Sequence, residues 1–262
     1  MTSSLAIVDG TIIDGLGGSP IRRGAIVLDQ GSVVAVGPLD EICIPKGAAI
    51  ISAEGRTVLP GVIDSHTHVE DRILQTLRLF LADGVTSVGN TGSGPSLVAI
   101  FHEEGRDSAA ARGFIAGPAI TAPGGYPAMR GDGLARGVET IDEVTAAVDE
   151  LAELGVDFIK LTQEPFDFNY RDPGHLPVLA PDMIAAVVAR ATEHGLLVRS
   201  HVHYAHQLDI ALDAGVASIE HMLFPLPTDV GYVELNRNHI LTLSALPELR
   251  QRIEQMVRHG VY

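Results

Sequence analysis

The sequence predicts an α/β protein: a (β/α)8-type TIM barrel with about seven of its strands present, preceded by a small N-terminal β-sandwich segment. Three observations carry this expectation. Residues 5–58 read as short β-branched runs separated by turn signals. From residue 61 onward the pattern becomes apolar run, polar loop, amphipathic helix, glycine, apolar run. The glycine-to-strand junction recurs at Gly84-Val85, Gly155-Val156, Gly195-Leu196, Gly215-Val216 and Gly260-Val261. Glycine is expected just past a helix C-terminus because it adopts a positive φ without a Cβ clash.

The N-terminal runs are Leu5–Val8, Thr11–Ile13, Ala25–Leu28, Ser32–Gly37, Ala49–Ile51 and Thr57–Leu59. Asp9-Gly10, Asp14-Gly15 and Asp29-Gln30-Gly31 punctuate them as hairpin or turn signals. A β-unit of about fifty residues buries little core on its own and is expected to lean on another domain. The expected division is 1–59 for this segment and 60–262 for the barrel.

In the barrel segment the strand starts fall at Val62, Val85, Phe114, Val156, Leu196, Val216, Ile240 and Val261, with the sequence ending at Tyr262. The helices between them are legible. Thr140-Ile141-Asp142-Glu143 is a capping box, followed by a stripe of Val144, Val148, Leu151 and Leu154. Pro181-Asp182 opens a helix with Ile184, Val187, Val188 and Ala191 on one face, and Pro247-Glu248 opens another with Leu249, Ile253, Met256 and Val257. By this reading the eighth strand has two residues, so a barrel seam and sandwich edges are left open, and open edges invite homo-oligomer pairing.

Composition narrows the partners. The chain has 262 residues, 46% hydrophobic and 19% charged, with no tryptophan and a formal net charge of −15. Such a surface repels nucleic acid and anionic membrane and argues against either as a partner. Cys43 is the single cysteine, which excludes an intrachain disulfide and is compatible with a reducing, cytoplasmic setting. Met1-Thr2-Ser3-Ser4 has neither a basic region nor a long apolar core, so no signal peptide is expected, and no apolar run approaches the length of a membrane span.

In a barrel of this kind chemistry sits at the C-terminal ends of the strands. The first strand ends in His66 and His68, placed on one face by the period of two. Asn90 and Thr91 end the second; the third runs into the Gly/Pro stretch Thr121–Pro127. The fourth carries Lys160 in an apolar run, the fifth ends in His201-Val202-His203, the sixth in His221, and the seventh offers Thr242 and Ser244. Neutral imidazoles suit zinc and its neighbours. A protonated lysine would repel such a cation; Lys160 makes chemical sense if neutral, or as a carbamate whose two oxygens bridge two metals. Asp64 lies deeper in the first strand and reads as a local hydrogen-bonding residue.

The stretches Thr57–His68, Gly84–Val88, Gly155–Leu161, His201–His203 and Ser218–His221 together resemble the amidohydrolase superfamily. The resemblance is to its binuclear metal-dependent branch of imidazolonepropionase-like and prolidase-like enzymes. It implies two divalent metal ions, zinc first: His66 and His68 on one, His201 and His221 on the other, with carbamylated Lys160 bridging. The implied reaction is hydrolysis of a carbon-nitrogen bond in an amide, cyclic amide or dipeptide-like compound through a metal-bridged hydroxide. No carboxylate follows His201 within three residues, unlike the one-metal deaminase branch. His203 has two open readings, a catalytic or substrate-facing residue and an ordinary loop histidine. Tyr126, Arg130 and Tyr204 are candidate substrate contacts, and Gln163–His175 is a candidate lid. The family pattern also requires an aspartate at the end of the eighth strand, and this general base has no counterpart in residues 1–262. The sequence therefore resembles a C-terminally truncated member, with a metal-binding or partner-binding domain without turnover as the alternative.

Overall fold

A computed structural model describes residues 4–131, 133–165, 176–221 and 247–261. The seventh-strand segment with Thr242 and Ser244, residues 166–175 of the loop after Lys160, and Tyr262 lie outside the described residues. The chain divides into two compact units, Met1–Val62 and Ile63–Tyr262.

The first unit holds β1 (Leu5–Ile12), β2 (Ile21–Asp29), β3 (Ser32–Pro38), β4 (Ala49–Ser52) and β5 (Thr57–Val58). They form one sheet in which β1–β2 and β2–β3 are antiparallel while β4 and β5 run parallel to β1. Gln30-Gly31 makes the expected hairpin, with φ of 49° and 80°, the left-handed pair that matches strand twist. Asp9-Gly10 is not the turn its sequence suggests. β1 runs through it, with φ of 63° at Asp9 and register shifts on either side of Gly10, so the pair forms a bulge. A Cβ at Gly10 would lie 2.9 Å from that of Ala53, which explains the glycine. Ala6, Val8, Ala25 and Val27 are the buried cluster, packed by Ala35, Leu39, Ile42 and Ile44. The second layer of the expected sandwich is not among the described residues.

The second unit runs β6 (Val62–Thr67), α1 (Ile73–Ala82), β7 (Val85–Asn90), α2 (Leu97–Glu104), β8 (Arg112–Ile115), β9 (Ala119–Thr121), a 3-10 turn (Ala128–Arg130) and β10 (Ala135–Gly137). It continues with α3 (Ile141–Leu154), β11 (Phe158–Thr162), α4 (Pro181–Glu193), β12 (Leu197–His201), α5 (Ala205–Ala214), β13 (Ser218–Glu220) and α6 (Pro247–His259). The sheets are β6-β7-β8 and β10-β9-β11-β12-β13. The single expected third strand is broken into β8 and β9 at Gly117, whose φ is 65°. Hydrogen bonds cross the break on both sides: Ala116 N donates to Asn90 O (3.0 Å) and Asp157 N to Ile115 O (2.9 Å). Strand order therefore follows chain order from β6 to β13, apart from the β10 branch.

The helices form for the reasons the sequence suggests. Glu143 N donates to Thr140 Oγ1 (3.2 Å) and Thr140 N to Glu143 Oε2 (3.2 Å), closing the capping box of α3. Pro181 stands in the first turn of α4. The five glycines expected at helix ends all have positive φ, from 65° to 87°, although Val261 after Gly260 is not in a strand. α3 buries Val144, Ala147, Val148 and Leu151, and α4 buries Met183, Ile184, Val187 and Ala191. Two expected stripes are shorter than the periodicity implied. Leu154 is 39% exposed at the C-terminal end of α3, and Ile253 and Val257 of α6 are 50% and 74% exposed. Met256 of α6 packs on the core, and Arg252 holds Asp209 of α5 through two hydrogen bonds of 2.9 and 2.8 Å. Among the described residues no helix is long and apolar enough to cross a membrane.

Candidate metal centre

The C-terminal ends of β6, β11, β12 and β13 bring one set of side chains together. His66 stands in β6, where its N–H donates to Asp64 Oδ1 (3.2 Å), the local role expected for Asp64. The His66 and His68 ring centroids are 5.3 Å apart. From β13, His221 places its ring 4.4 Å from His66 and 4.4 Å from His201 of β12. His203 lies 4.6 Å from His201 and stacks on His221 at 4.8 Å. One nitrogen from each of His201, His203 and His221 falls within 4.8 Å of the others. Lys160 of β11 is 3% exposed, and its Nζ has no hydrogen-bond partner among the described residues.

These residues line a cavity of about 450 Å³, together with Glu70, Tyr126, Arg130 and Thr162. The Tyr126 ring is 5.3 Å from that of His201. The Arg130 guanidinium lies 5.0 Å over the Tyr126 ring and donates to its hydroxyl at 3.4 Å. Tyr204 is a correction: it is 1% exposed, immediately precedes α5, and is not among the lining residues. A larger cavity, about 830 Å³, is lined by residues near the opposite ends of β7, β8 and β11, including Ser87, Arg112 and Asp157. It contains none of the clustered histidines, so size does not identify the site here.

Burial governs the charges. It pushes the Lys160 ammonium down to about 7, against the pull of Glu220 and with a further push from Arg199. Burial also takes His201 well below its ordinary value, reinforced by His203 and His221. His221 keeps some solvent exposure, yet desolvation and then the His66 and Lys160 charges push it down to about 3. His68 is lowered too, chiefly by burial. At neutral pH, His68, His201 and His221 therefore offer lone pairs, and Lys160 is about half amine.

Three participants were not anticipated from the sequence. Glu220 of β13 accepts a hydrogen bond from His66 Nδ1 and stands 4.0 Å from Lys160 Nζ. Burial alone would raise Glu220, but the His66 hydrogen bond and the Lys160 and Arg199 charges outweigh it and hold the carboxyl at about 2. Arg199 of β12 donates to Glu220 Oε1 (2.6 Å) and to the Ser65 carbonyl (2.5 Å), and stacks over Phe158 at 4.3 Å. It thus ties β6, β11, β12 and β13 to one another. Glu164, beyond β11, contacts both His201 and His203. Arg199 and Glu220 carried a signal, since each is a charge inside an otherwise apolar strand; Glu164 sits in a loop where no periodicity could flag it.

An α/β unit that gathers histidines and a desolvated lysine at the C-terminal ends of its strands has the donor set of a metal centre. The family model of the amidohydrolase family matches residues 57–261, and the chain belongs to that family. Among curated relatives, it is 34% identical over 100 residues to an N-acyl-D-aspartate deacylase of Alcaligenes xylosoxydans xylosoxydans, covering 37% of this chain and 19% of that protein. It is 43% identical over 54 residues to an imidazolonepropionase of Geobacillus kaustophilus, covering 19% of this chain and 13% of that protein. The fold is similar to that of a Xaa-Pro dipeptidase with methionine bound in its active site (TM-score 0.75, 24% identity, 99% of this chain and 66% of that one). The chain thus spans less than two thirds of that structure, and its matches cover less than a fifth of those curated relatives.

Proposed function

We propose that this chain carries the metal-binding part of a hydrolase acting on carbon-nitrogen bonds of amides, cyclic amides or dipeptide-like compounds. The observation that carries the proposal is Lys160: a buried amine with no hydrogen-bond partner among the described residues, lining the same cavity as His66, His68, His201 and His221. A buried donor left unpaired is costly. A pKa of about 7 leaves much of it as free amine at neutral pH, the form that adds to carbon dioxide. In that addition an N–C bond forms and a proton leaves to solvent, giving an anionic carbamate with two oxygens for metal.

In this reading His66 and His68 would hold one divalent ion and His201 and His221 the other, with Lys160, as a carbamate, a shared ligand, and zinc would be the first candidate on an imidazole-rich donor set. When bound, such ions polarise a carbonyl and supply a nucleophile from water at neutral pH. The chain's own groups do the rest. Glu220 and Arg199 fix the His66 ring and the end of β6. Tyr126 and Arg130 orient the substrate from the cavity wall, with Arg130 taking an anionic group. The six strand positions from β6 to β13 belong, in the same proposal, to a (β/α)8 barrel of residues 60–262, and β1–β5 to a small sandwich of residues 1–59. The deacylase, imidazolonepropionase and dipeptidase names of the similar proteins support this substrate range.

The test pairs zinc titration of the metal-stripped chain with product release from N-acyl amino acids, dipeptides and cyclic amides. Zinc-dependent release that is lost in both His66→Asn and Lys160→Met is the expected result. Binding without release from any substrate favours the alternative of a metal-binding domain without turnover, and no binding at all removes the metal reading.

A further inference from the structure

The cluster contains a carboxylate to which the proposed ligand set gives no task. Glu164 stands two residues beyond β11, and its side chain is fully buried (0% exposed). One oxygen, Oε2, lies 2.7 Å from His203 Nδ1 and 3.1 Å from His201 Nε2. A carboxylate oxygen accepts hydrogen bonds, so the ring nitrogens that face it are the protonated ones. A neutral imidazole has only one N–H. The contact therefore places the proton of His201 on Nε2 and that of His203 on Nδ1, and leaves lone pairs on His201 Nδ1 and His203 Nε2. The far side of the cluster is built alike: His66 donates through Nδ1 to Glu220, which leaves Nε2 with its lone pair.

We propose that Glu164 is a positioning residue of the metal site, setting the tautomers of His201 and His203 together through a single oxygen. His201 and His203 each then keep one predetermined lone pair, on Nδ1 and on Nε2, for a metal ion. Without that oxygen either ring can take the other tautomer or turn about its χ2, and each such state removes a donor from the site. A carboxylate behind a ligating histidine typically accounts for 10–100-fold in metal affinity. The pairing of His203 with His201 on one acceptor also gives His203 a defined role, where its position in the sequence left two readings open. This inference rests on the metal reading above.

The experiment reads tautomers and metal separately. Long-range 1H–15N spectra of the histidine rings in the metal-free chain should show His201 as the Nε2–H form, and His203 and His66 as Nδ1–H forms. In Glu164→Gln the acceptor becomes a neutral amide oxygen, weaker than a carboxylate, and the NH2 group offers the rings a donor in its place. His201 and His203 should become mixed or exchange tautomer, His66 should stay as it was, and zinc should bind about 10–100-fold more weakly at one of its two sites. Unchanged His201 and His203 spectra in Glu164→Gln, or unchanged zinc affinity, would overturn the role given to Glu164. Wild-type chain that binds no zinc would instead overturn the metal reading itself, so the two failures are distinct. If Glu164→Gln does not fold, Glu164→Asp carries the test. Its withdrawn oxygen should shift the His201 and His203 ring nitrogens but not those of His66, and unshifted rings would overturn the proposal.

Discussion

Replacing Lys160 by methionine keeps the volume of the side chain and removes its amine. The structure fixes what should follow. Burial lowers this lysine from 10.5 to about 7, so the folded chain holds its proton less tightly than the unfolded one. Between about pH 7 and pH 10.5 the unfolded chain binds more protons, and stability rises with pH through that window. Charging the buried amine costs the folded state about 5 kcal/mol well below pH 7. Raising the pH from 7 to 9 relieves about 2 kcal/mol of that cost. The assay is urea unfolding of the metal-stripped wild type and Lys160→Met at pH 7, 8 and 9 in carbon dioxide-free buffer. Subtracting the variant cancels the other titrating groups. Wild type should gain about 2 kcal/mol on the variant from pH 7 to 9. A difference that stays flat would refute the claim that Lys160 is a desolvated amine, and with it the argument for its carbamylation.

Two further predictions concern the frame and the cavity wall. A Cβ at Gly89 of β7 would lie 2.6 Å from the Ser65 carbonyl and 3.2 Å from Arg199. Gly89→Ala should therefore cost about 1–3 kcal/mol in urea unfolding and also weaken zinc binding through displacement of β6; a stability within 0.5 kcal/mol of wild type, an order-of-magnitude margin, would contradict this packing. Arg130→Ala should raise KM about tenfold or more for substrates with a free carboxylate, from loss of a charge-assisted hydrogen bond, and leave neutral cyclic amides nearly unaffected. Equal effects on both substrate classes would remove the anion-binding role.

Much of this arrangement could be read from the sequence, and the failures have physical causes. The helix-to-strand glycines located strand starts because a positive φ is a local demand that one residue type meets cheaply. The period of two put His66 and His68 together, and strand order brought His201, His221 and Lys160 to the same end. Asp9-Gly10 misled because a bulge and a turn ask for the same backbone angles, and only pairing with β2 and β5 decides between them. Ile253 and Val257 misled because an amphipathic stripe says which face is apolar, not how much of it is covered. Glu164 lay within the candidate lid, and its partners went unforeseen because they are 37 and 39 residues away. Tyr204 was a candidate substrate contact from its place after His203, whereas it lies buried at the start of α5 and outside the cavity lining.

The most direct measurement is the number of metal ions the purified chain binds. The metal-stripped protein would be titrated with zinc in bicarbonate buffer, with inductively coupled plasma analysis of the saturated sample and a parallel titration of Lys160→Met. Close to two ions per wild-type chain are expected, with a loss of at least one in the variant. Fewer than two ions in wild type, or equal stoichiometry in the two proteins, would contradict a centre bridged by Lys160.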